Sequence, residues 1–297
     1  MREKIGFIGI GAMGKPMALN LLKAGYPVLA YDINPKPLEE LKEKGAAIGK
    51  SCKDVASQCD VIITMLPNSG DVEKAILEGN GVLEGARSDS IVIDMSTIDP
   101  SVSRKVAQAL AQKNIKMLDA PVSGGQFGAV AGTLAIMVGG DEDAFQKCLP
   151  IFQAMGKKIV HCGRIGNGEI VKIMNNLLAG INMIATAEAL TLGVKAGVDL
   201  KVLYDVINSS SGQNWTMQNY CANKAFKGDF EPGFMAKLMY KDLGLAMNLA
   251  KEEGVPLFVG GLAHQTYSRI VASGLGKKDS SITVKTIEDL ANVKLRL

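Results

Sequence analysis

Apolar and polar positions along the 297-residue chain follow two rhythms, one in each half. In the first half, short apolar runs at residues 4–10, 27–31, 60–66, 90–94 and 116–120 have the length of buried strands. Between them, residues 13–24, 35–44, 71–77 and 100–113 carry helical patterns. Further strands are predicted at 133–138 and 158–161, with a helix at 142–152 between them. Strand–helix units repeated at this length predict a parallel sheet with helices covering both faces.

The rhythm changes near Gly163. After Gly166-Asn167-Gly168 the pattern is helical almost to the end, with turns expected at 209–212, 227–233, 260–261 and 274–276. Residues 169–195 hold no proline and only two interior glycines, so they read as one long helix. Nearly all its faces are apolar, which requires burial almost all round. One small helical domain seldom encloses such a helix, so a second subunit is expected to complete its burial. The predicted fold class is α/β: a doubly wound parallel-sheet domain of Rossmann type over residues 1–164, followed by an all-α domain over 165–297.

Composition narrows the function classes. Apolar residues make up 47% and charged residues 21%, which fits a globular chain rather than a disordered one. A net charge of +3 with no Lys/Arg cluster argues against a nucleic-acid surface. Five cysteines without a C-x-x-C pair read as free thiols of a reducing compartment. Two histidines, His161 and His264, lack partners at ligand spacing, so no metal site is expected. The apolar start is too short for a signal segment, and the uncharged stretch 173–187 is shorter than a membrane span. A soluble, cytoplasmic protein with no membrane partner is the expectation.

The most informative local pattern is Gly9-Ile10-Gly11-Ala12-Met13-Gly14, which follows the first strand and opens the first helix. Gly9 permits the tight turn, Gly11 lets a pyrophosphate approach the backbone, and Gly14 allows close helix–strand packing. The exposed N–H groups at the helix start, around Ala12 and Met13, then face the phosphates. Asp32 stands 18 residues after Gly14, at the end of the second strand. A carboxylate there accepts hydrogen bonds from the ribose hydroxyls and repels a 2′-phosphate. The residues that follow, Ile33, Asn34 and Pro35, include no arginine, so the cofactor predicted is NAD rather than NADP. A structural turn with an aspartate cap is the plainer reading of the same residues.

Five separated motifs resemble those of the β-hydroxyacid dehydrogenase family over nearly the whole chain. They are the glycine turn with Lys15-Pro16-Met17, Met65-Leu66-Pro67-Asn68 with Asp94-Met95-Ser96-Thr97, Asp119 to Gly125, Gly168 to Asn176, and Lys241 to Ala246. The resemblance implies a Rossmann domain, a helical second domain shared across homodimers or homotetramers, and oxidation of a small 3-hydroxy acid to its semialdehyde. It implies that Leu66, Pro67 and Thr97 line the cofactor and that Lys241 lies near the nicotinamide. It also implies that Ser123, Gly124 and Gly125 hold the substrate carboxylate and that Lys172 is the catalytic residue.

The residues themselves support part of this. Lys172 and Asn176 are four apart on a helix and share a face. A lysine buried in an apolar helix has its charged form disfavoured and its pKa lowered, which suits proton transfer near neutral pH. Asn176 can fix the substrate hydroxyl or the lysine amine. A lysine snorkelling to solvent fits the pattern too. Ser123-Gly124-Gly125 offers amides and a hydroxyl for a carboxylate, and is equally an ordinary tight turn. Asn68, Ser96, Trp215 and Phe234 are expected as pocket wall.

Within the family, the segments 210–215 and 233–239 are most similar to the 3-hydroxyisobutyrate dehydrogenases. The glycine-rich substrate loop is shared with tartronate semialdehyde (2-hydroxy-3-oxopropionate) reductases. The stretch between Trp215 and Gly228 is shorter than the 3-hydroxyisobutyrate pattern. Some wider relatives are non-catalytic NAD(P)-binding structural modules that lack the lysine; this chain keeps Lys172 and Asn176.

Overall fold

The computed structural model describes residues 2–297. They form two compact units, residues 2–172 and 173–297, which divide inside one long helix.

Unit 1 is built on a mixed sheet in which parallel pairing dominates. Its strands are β1 (Ile5–Ile8), β2 (Val28–Tyr31), β3 (Ala47–Ile48), β4 (Val61–Thr64), β5 (Ile91–Asp94), β6 (Lys116–Asp119), β7 (Val122–Ser123), β8 (Leu134–Gly140) and β9 (Gly156–His161). The order is β3-β2-β1-β4-β5-β6-β8-β7, with β9 also pairing β8. From β3 to β6 every pair is parallel. The predicted parallel sheet is present from β3 to β6, and beyond it β8 runs antiparallel to both β6 and β7. The chain between β6 and β8 holds only β7, which itself pairs antiparallel with β8, and a short helix.

The strands assemble because alternate side chains enter two separate cores. Ile5, Phe7, Val61, Ile63, Ile91 and Ile93 join one cluster, and Ile8, Ile62 and Val92 join the other. The flanking helices include α1 (Gly14–Lys23), α2 (Lys36–Glu43), α3 (Cys52–Gln58), α4 (Ser69–Leu77), α5 (Val82–Gly85), α6 (Pro100–Ala111), α7 (Gly125–Ala131) and α8 (Glu142–Met155). The sequence pattern misses α3, α5 and α7, each of seven residues or fewer, too short to show a helical period.

Helix α9 (Asn167–Lys195) begins in unit 1 and continues into unit 2. Unit 2 adds α10 (Leu200–Asn208), α11 (Ala236–Glu253), α12 (Phe258–Ile270) and α13 (Ile282–Ala291), with π-helical turns at Thr216–Cys221 and Val271–Leu275. Glycines let these helices approach α9 closely. A Cβ on Gly193 would lie 2.6 Å from Leu203 of α10, and one on Gly180 would lie 3.2 Å from Leu243 of α11. Gly260-Gly261, expected as a turn, sits inside α12, where Gly260 makes room for Leu177.

By length and composition α9 could cross a bilayer, and 39% of its most apolar window is buried in protein. Within one chain it is not enclosed all round: Leu178 is 61% and Leu192 71% exposed.

Candidate active site

The parallel strands are in register so that Ile8, Thr64, Asp94 and Asp119 end side by side. Chain direction makes β1 the switch point, with β2 on one side and β4 on the other. In open α/β sheets that is where a crevice for ligands opens, beyond the carboxyl ends of the strands.

The glycine turn lies there. Gly9 has φ +95°, and a Cβ on it would come within 2.4 Å of the Met65 carbonyl oxygen. Gly14 leaves still less space, since its Cβ would meet the Gly9 carbonyl at 1.9 Å. A Cβ on Gly11 would meet nothing within 4 Å, so its backbone is open to close approach. Met13 at the start of α1 supplies no side-chain cap; Lys15 N donates to Gly11 O and Pro16 has no N–H, so the amides placed for another acceptor are those of the glycine turn itself. Asp32 follows β2, and its Oδ2 accepts from Ile10 N at 2.6 Å while Oδ1 accepts from Asn34 N at 2.7 Å. The carboxylate is thereby fixed beside the turn, and the next side chain, Ile33, is 93% exposed. Open amides for a pyrophosphate and an oriented acid for ribose hydroxyls fit NAD.

The residues after β4 and β5 complete this wall. Asp94 is fully buried, and its Oδ1 accepts from Thr64 Oγ1 at 2.7 Å and Ser96 Oγ at 2.6 Å. Ser96 Oγ in turn accepts from Leu66 N at 2.8 Å. One buried carboxylate thus fixes the segments carrying Leu66, Pro67 and Thr97. Ser96, expected as pocket wall, is an internal link in this chain. Asn68 is the N-cap of α4, accepting from Asp71 N at 3.0 Å.

Further along the sheet edge, Ser123 ends β7, and Gly124 and Gly125 have φ of +127° and +58°. Two successive positive φ values reverse the chain where a side chain would be strained. Lys172 lies in the second turn of α9 and is 7% exposed, so it is buried rather than snorkelling. The start of α9 is held by Asp119, which accepts from Gly166 N at 2.7 Å and Glu169 N at 2.9 Å. Burial pushes the Asp119 carboxyl up to about 6 against the pull of these amides. Glu169, also fully buried, accepts from Ile98 N at 3.1 Å, next to Thr97.

Unit 2 carries Asn176, one helical turn after Lys172, and Lys241 on α11. Asn176 Nδ2 donates to Asp242 Oδ2 at 2.6 Å, and Asn176 Oδ1 accepts from Asn175 Nδ2 at 3.0 Å. Asp242 Oδ1 lies 3.2 Å from Lys241 Nζ. Asp242 therefore orients both residues, because a carboxylate can only accept and the Asn176 amino group must face it. Phe234 is held through its backbone: its N–H and that of Gly233 donate to Asp279 Oδ2 at 3.1 and 2.9 Å. Trp215 is exposed.

Sequence reasoning missed Asp94, Asp119, Glu169 and Asp242. All four stand inside the motifs quoted above, yet an acid at a strand end or beside a lysine reads as a surface residue. Strand register brings Asp94 and Asp119 inside, and the packing of α9 and α11 buries Glu169 and Asp242.

A glycine-turn crevice at the switch point, with a carboxylate after β2, defines an NAD-binding oxidoreductase. Residues 4–163 match the model of the NAD binding domain of 6-phosphogluconate dehydrogenase. Residues 166–287 match that of the NAD-binding domain of NADP-dependent 3-hydroxyisobutyrate dehydrogenase. The chain is 45% identical over 287 residues to a probable mitochondrial 3-hydroxyisobutyrate dehydrogenase of Dictyostelium discoideum, covering 94% of this chain and 89% of the relative. It is 44% identical to 2-(hydroxymethyl)glutarate dehydrogenase of Eubacterium barkeri, covering 98% and 97%. A solved structure of Mycobacterium tuberculosis 3-hydroxyisobutyrate dehydrogenase with L-serine superposes with a TM-score of 0.90 at 37% identity, covering 97% of this chain and 99% of that one. The chain belongs to the β-hydroxyacid dehydrogenase family and is an NAD-dependent hydroxyacid dehydrogenase.

Proposed function

We propose that this enzyme oxidises 3-hydroxyisobutyrate to its semialdehyde with NAD, using Lys172 as the proton acceptor. The observation that carries the reading is Lys172, buried on α9 one turn before an Asn176 whose amide is fixed by Asp242. A buried amine beside an oriented amide suits removal of a hydroxyl proton without competition from water. When bound, NAD supplies the hydride acceptor. Lys172 Nζ takes the hydroxyl proton as the carbonyl forms, and Asn176 orients the alcohol or the amine. Ser123 and the amides of Gly124 and Gly125 would hold the carboxylate, Leu66, Pro67 and Thr97 would line the cofactor, and Lys241 is the residue that the family resemblance assigns to the nicotinamide.

The molecules named for the relatives share one core, a primary alcohol on the carbon next to the one that bears the carboxylate. They differ in the group on the middle carbon: a methyl in 3-hydroxyisobutyrate, an amine in serine, a carboxyethyl chain in 2-(hydroxymethyl)glutarate. The reacting end is thus common and specificity rests with the pocket for that group. NADH production with these three acids and with glycerate, repeated with NADP, tests the reading. The highest kcat/KM is expected for 3-hydroxyisobutyrate with NAD. A preference for glycerate would favour the tartronate semialdehyde reductase reading instead, and no turnover of any acid would sink the enzyme assignment.

We also infer a homo-oligomer, a dimer or tetramer. Val171, Leu178, Ala185 and Leu192 are exposed on α9 at seven-residue intervals. Such spacing keeps apolar groups on one face and suits a helix seam with a second copy.

A further inference from the structure

We propose that Asp119 is a positioning residue for the reaction: its carboxylate sets the first turn of α9 and thereby places Lys172. The proposal rests on the reading of Lys172 as proton acceptor.

The amides at a helix start need acceptors, and these usually come from the N-cap side chain. Here α9 is preceded by Gly166, which has no side chain to offer. The acceptor instead arrives from the end of β6, 47 residues back, and both its oxygens are used. Oδ1 takes Gly166 N, before the helix, and Oδ2 takes Glu169 N, inside its first turn. The start of α9 is therefore tied to the sheet as well as to its own loop, where Asn167 donates to the Arg164 and Cys162 carbonyls.

Glycines shape the space around this carboxylate. Gly139 stands opposite Asp119 in the β6–β8 pairing, and a Cβ on it would lie 2.4 Å from Asp119 Oδ1. A Cβ on Gly168 would lie 2.9 Å from Oδ2. A second tie acts in the same turn, where Glu169 Oε2 accepts from Ile98 N. Residues three apart share a helix face, so Glu169 and Lys172 move together. Rotation or sliding of the helix start would break both ties at once.

A cap required only for stability needs no buried carboxylate, since burial disfavours the charge and Asp94 adds repulsion. What the carboxylate supplies is two equivalent acceptors at fixed separation. An asparagine of the same shape would turn an amino group toward one of the amides, donor against donor.

The test compares Asp119→Asn, Gly139→Ala and Lys172→Ala in the full-length enzyme. Gly139→Ala keeps the charge and crowds both the carboxylate and the Arg164 and Gly168 backbone, so it tests the placement of the α9 start if Asp119→Asn does not fold. Both are expected to lower kcat ~10-fold or more, because small misplacements of a reacting group are costly. The KM for NAD should stay within about twofold. Hydrogen exchange should accelerate at residues 166–172 and not across the rest of unit 1. Unchanged kcat in a folded variant overturns the proposal, and so does exchange that rises throughout unit 1 with a parallel rise in the KM for NAD. Lys172→Ala separates the two readings. If it retains turnover, the role of Lys172 fails; if it is inactive while the other two keep kcat, only the role of Asp119 fails.

Discussion

The two units solve the burial of apolar residues differently. In unit 1 the strands place successive side chains into cores on opposite faces, and β1, β4 and β5 are buried along their whole length. The polar groups at its strand ends are paired within the unit, as Thr64, Asp94 and Ser96 show. Unit 2 has two apolar clusters of its own, yet Leu178, Leu192, Trp215, Phe258 and Leu262 remain exposed. A sheet covered on both faces hides its apolar strands within one chain, whereas a small helical bundle around a 29-residue helix leaves part of that helix exposed. The first unit leaves Ile33, Phe127 and Val130 exposed, and the second leaves the stripe along α9 against which the proposed second copy would pack.

The largest expected effect falls in unit 1. Lys172→Ala removes the proposed proton acceptor, and turnover should drop ~10²-fold or more. NAD affinity, measured by fluorescence titration of NADH, should stay close to wild type because the glycine turn is untouched. Retained turnover would show that a buried lysine here serves packing alone and would weaken the contrast between the units.

A smaller effect, on assembly, is expected in unit 2. Leu178→Glu combined with Leu192→Glu places two charges on the exposed stripe of α9. If a second copy covers that stripe, burying unpaired carboxylates costs several kcal/mol and the oligomer should dissociate. Light scattering should then report a monomer whose unit 1 still binds NADH. An unchanged mass for the double variant would mean that the stripe faces solvent and that unit 2 is as self-contained as unit 1.

How much of this was legible in the sequence follows the same division. The glycine turn, Asp32 and α9 stand out because each depends on local spacing that the chain displays directly. The four interior acids do not stand out. Asp94 and Asp119 acquire their roles only when register brings the strand ends together, and a charged residue at a strand end otherwise marks a boundary. Gly260-Gly261 was misleading for a related reason. Paired glycines signal a turn locally, while the close approach of Leu177 that calls for Gly260 is tertiary. The antiparallel run of β8 was hidden too, since an apolar strand carries no sign of its direction.

The smallest effect concerns pH and returns to Asp119. Its carboxyl is raised from 3.8 to about 6, chiefly by burial. Between those values the folded protein holds a proton that the unfolded chain has lost, so stability from this group is full below pH 4 and declines as pH rises through 6. The decline is on the order of 3 kcal/mol for a shift of this size. Asp119→Asn cannot titrate, so its melting temperature should gain on that of the wild type by several degrees between pH 4 and pH 7. The comparison uses the change in the gap, because the amide hydrogen bond lost in the non-titrating variant adds the same offset to the gap at every pH. A gap that stays constant would mean that Asp119 is no costlier buried than exposed. A gap that moves as expected would show unit 1 giving up stability at neutral pH to hold a charged anchor at the start of α9, which is the pattern expected where geometry rather than packing sets the residue.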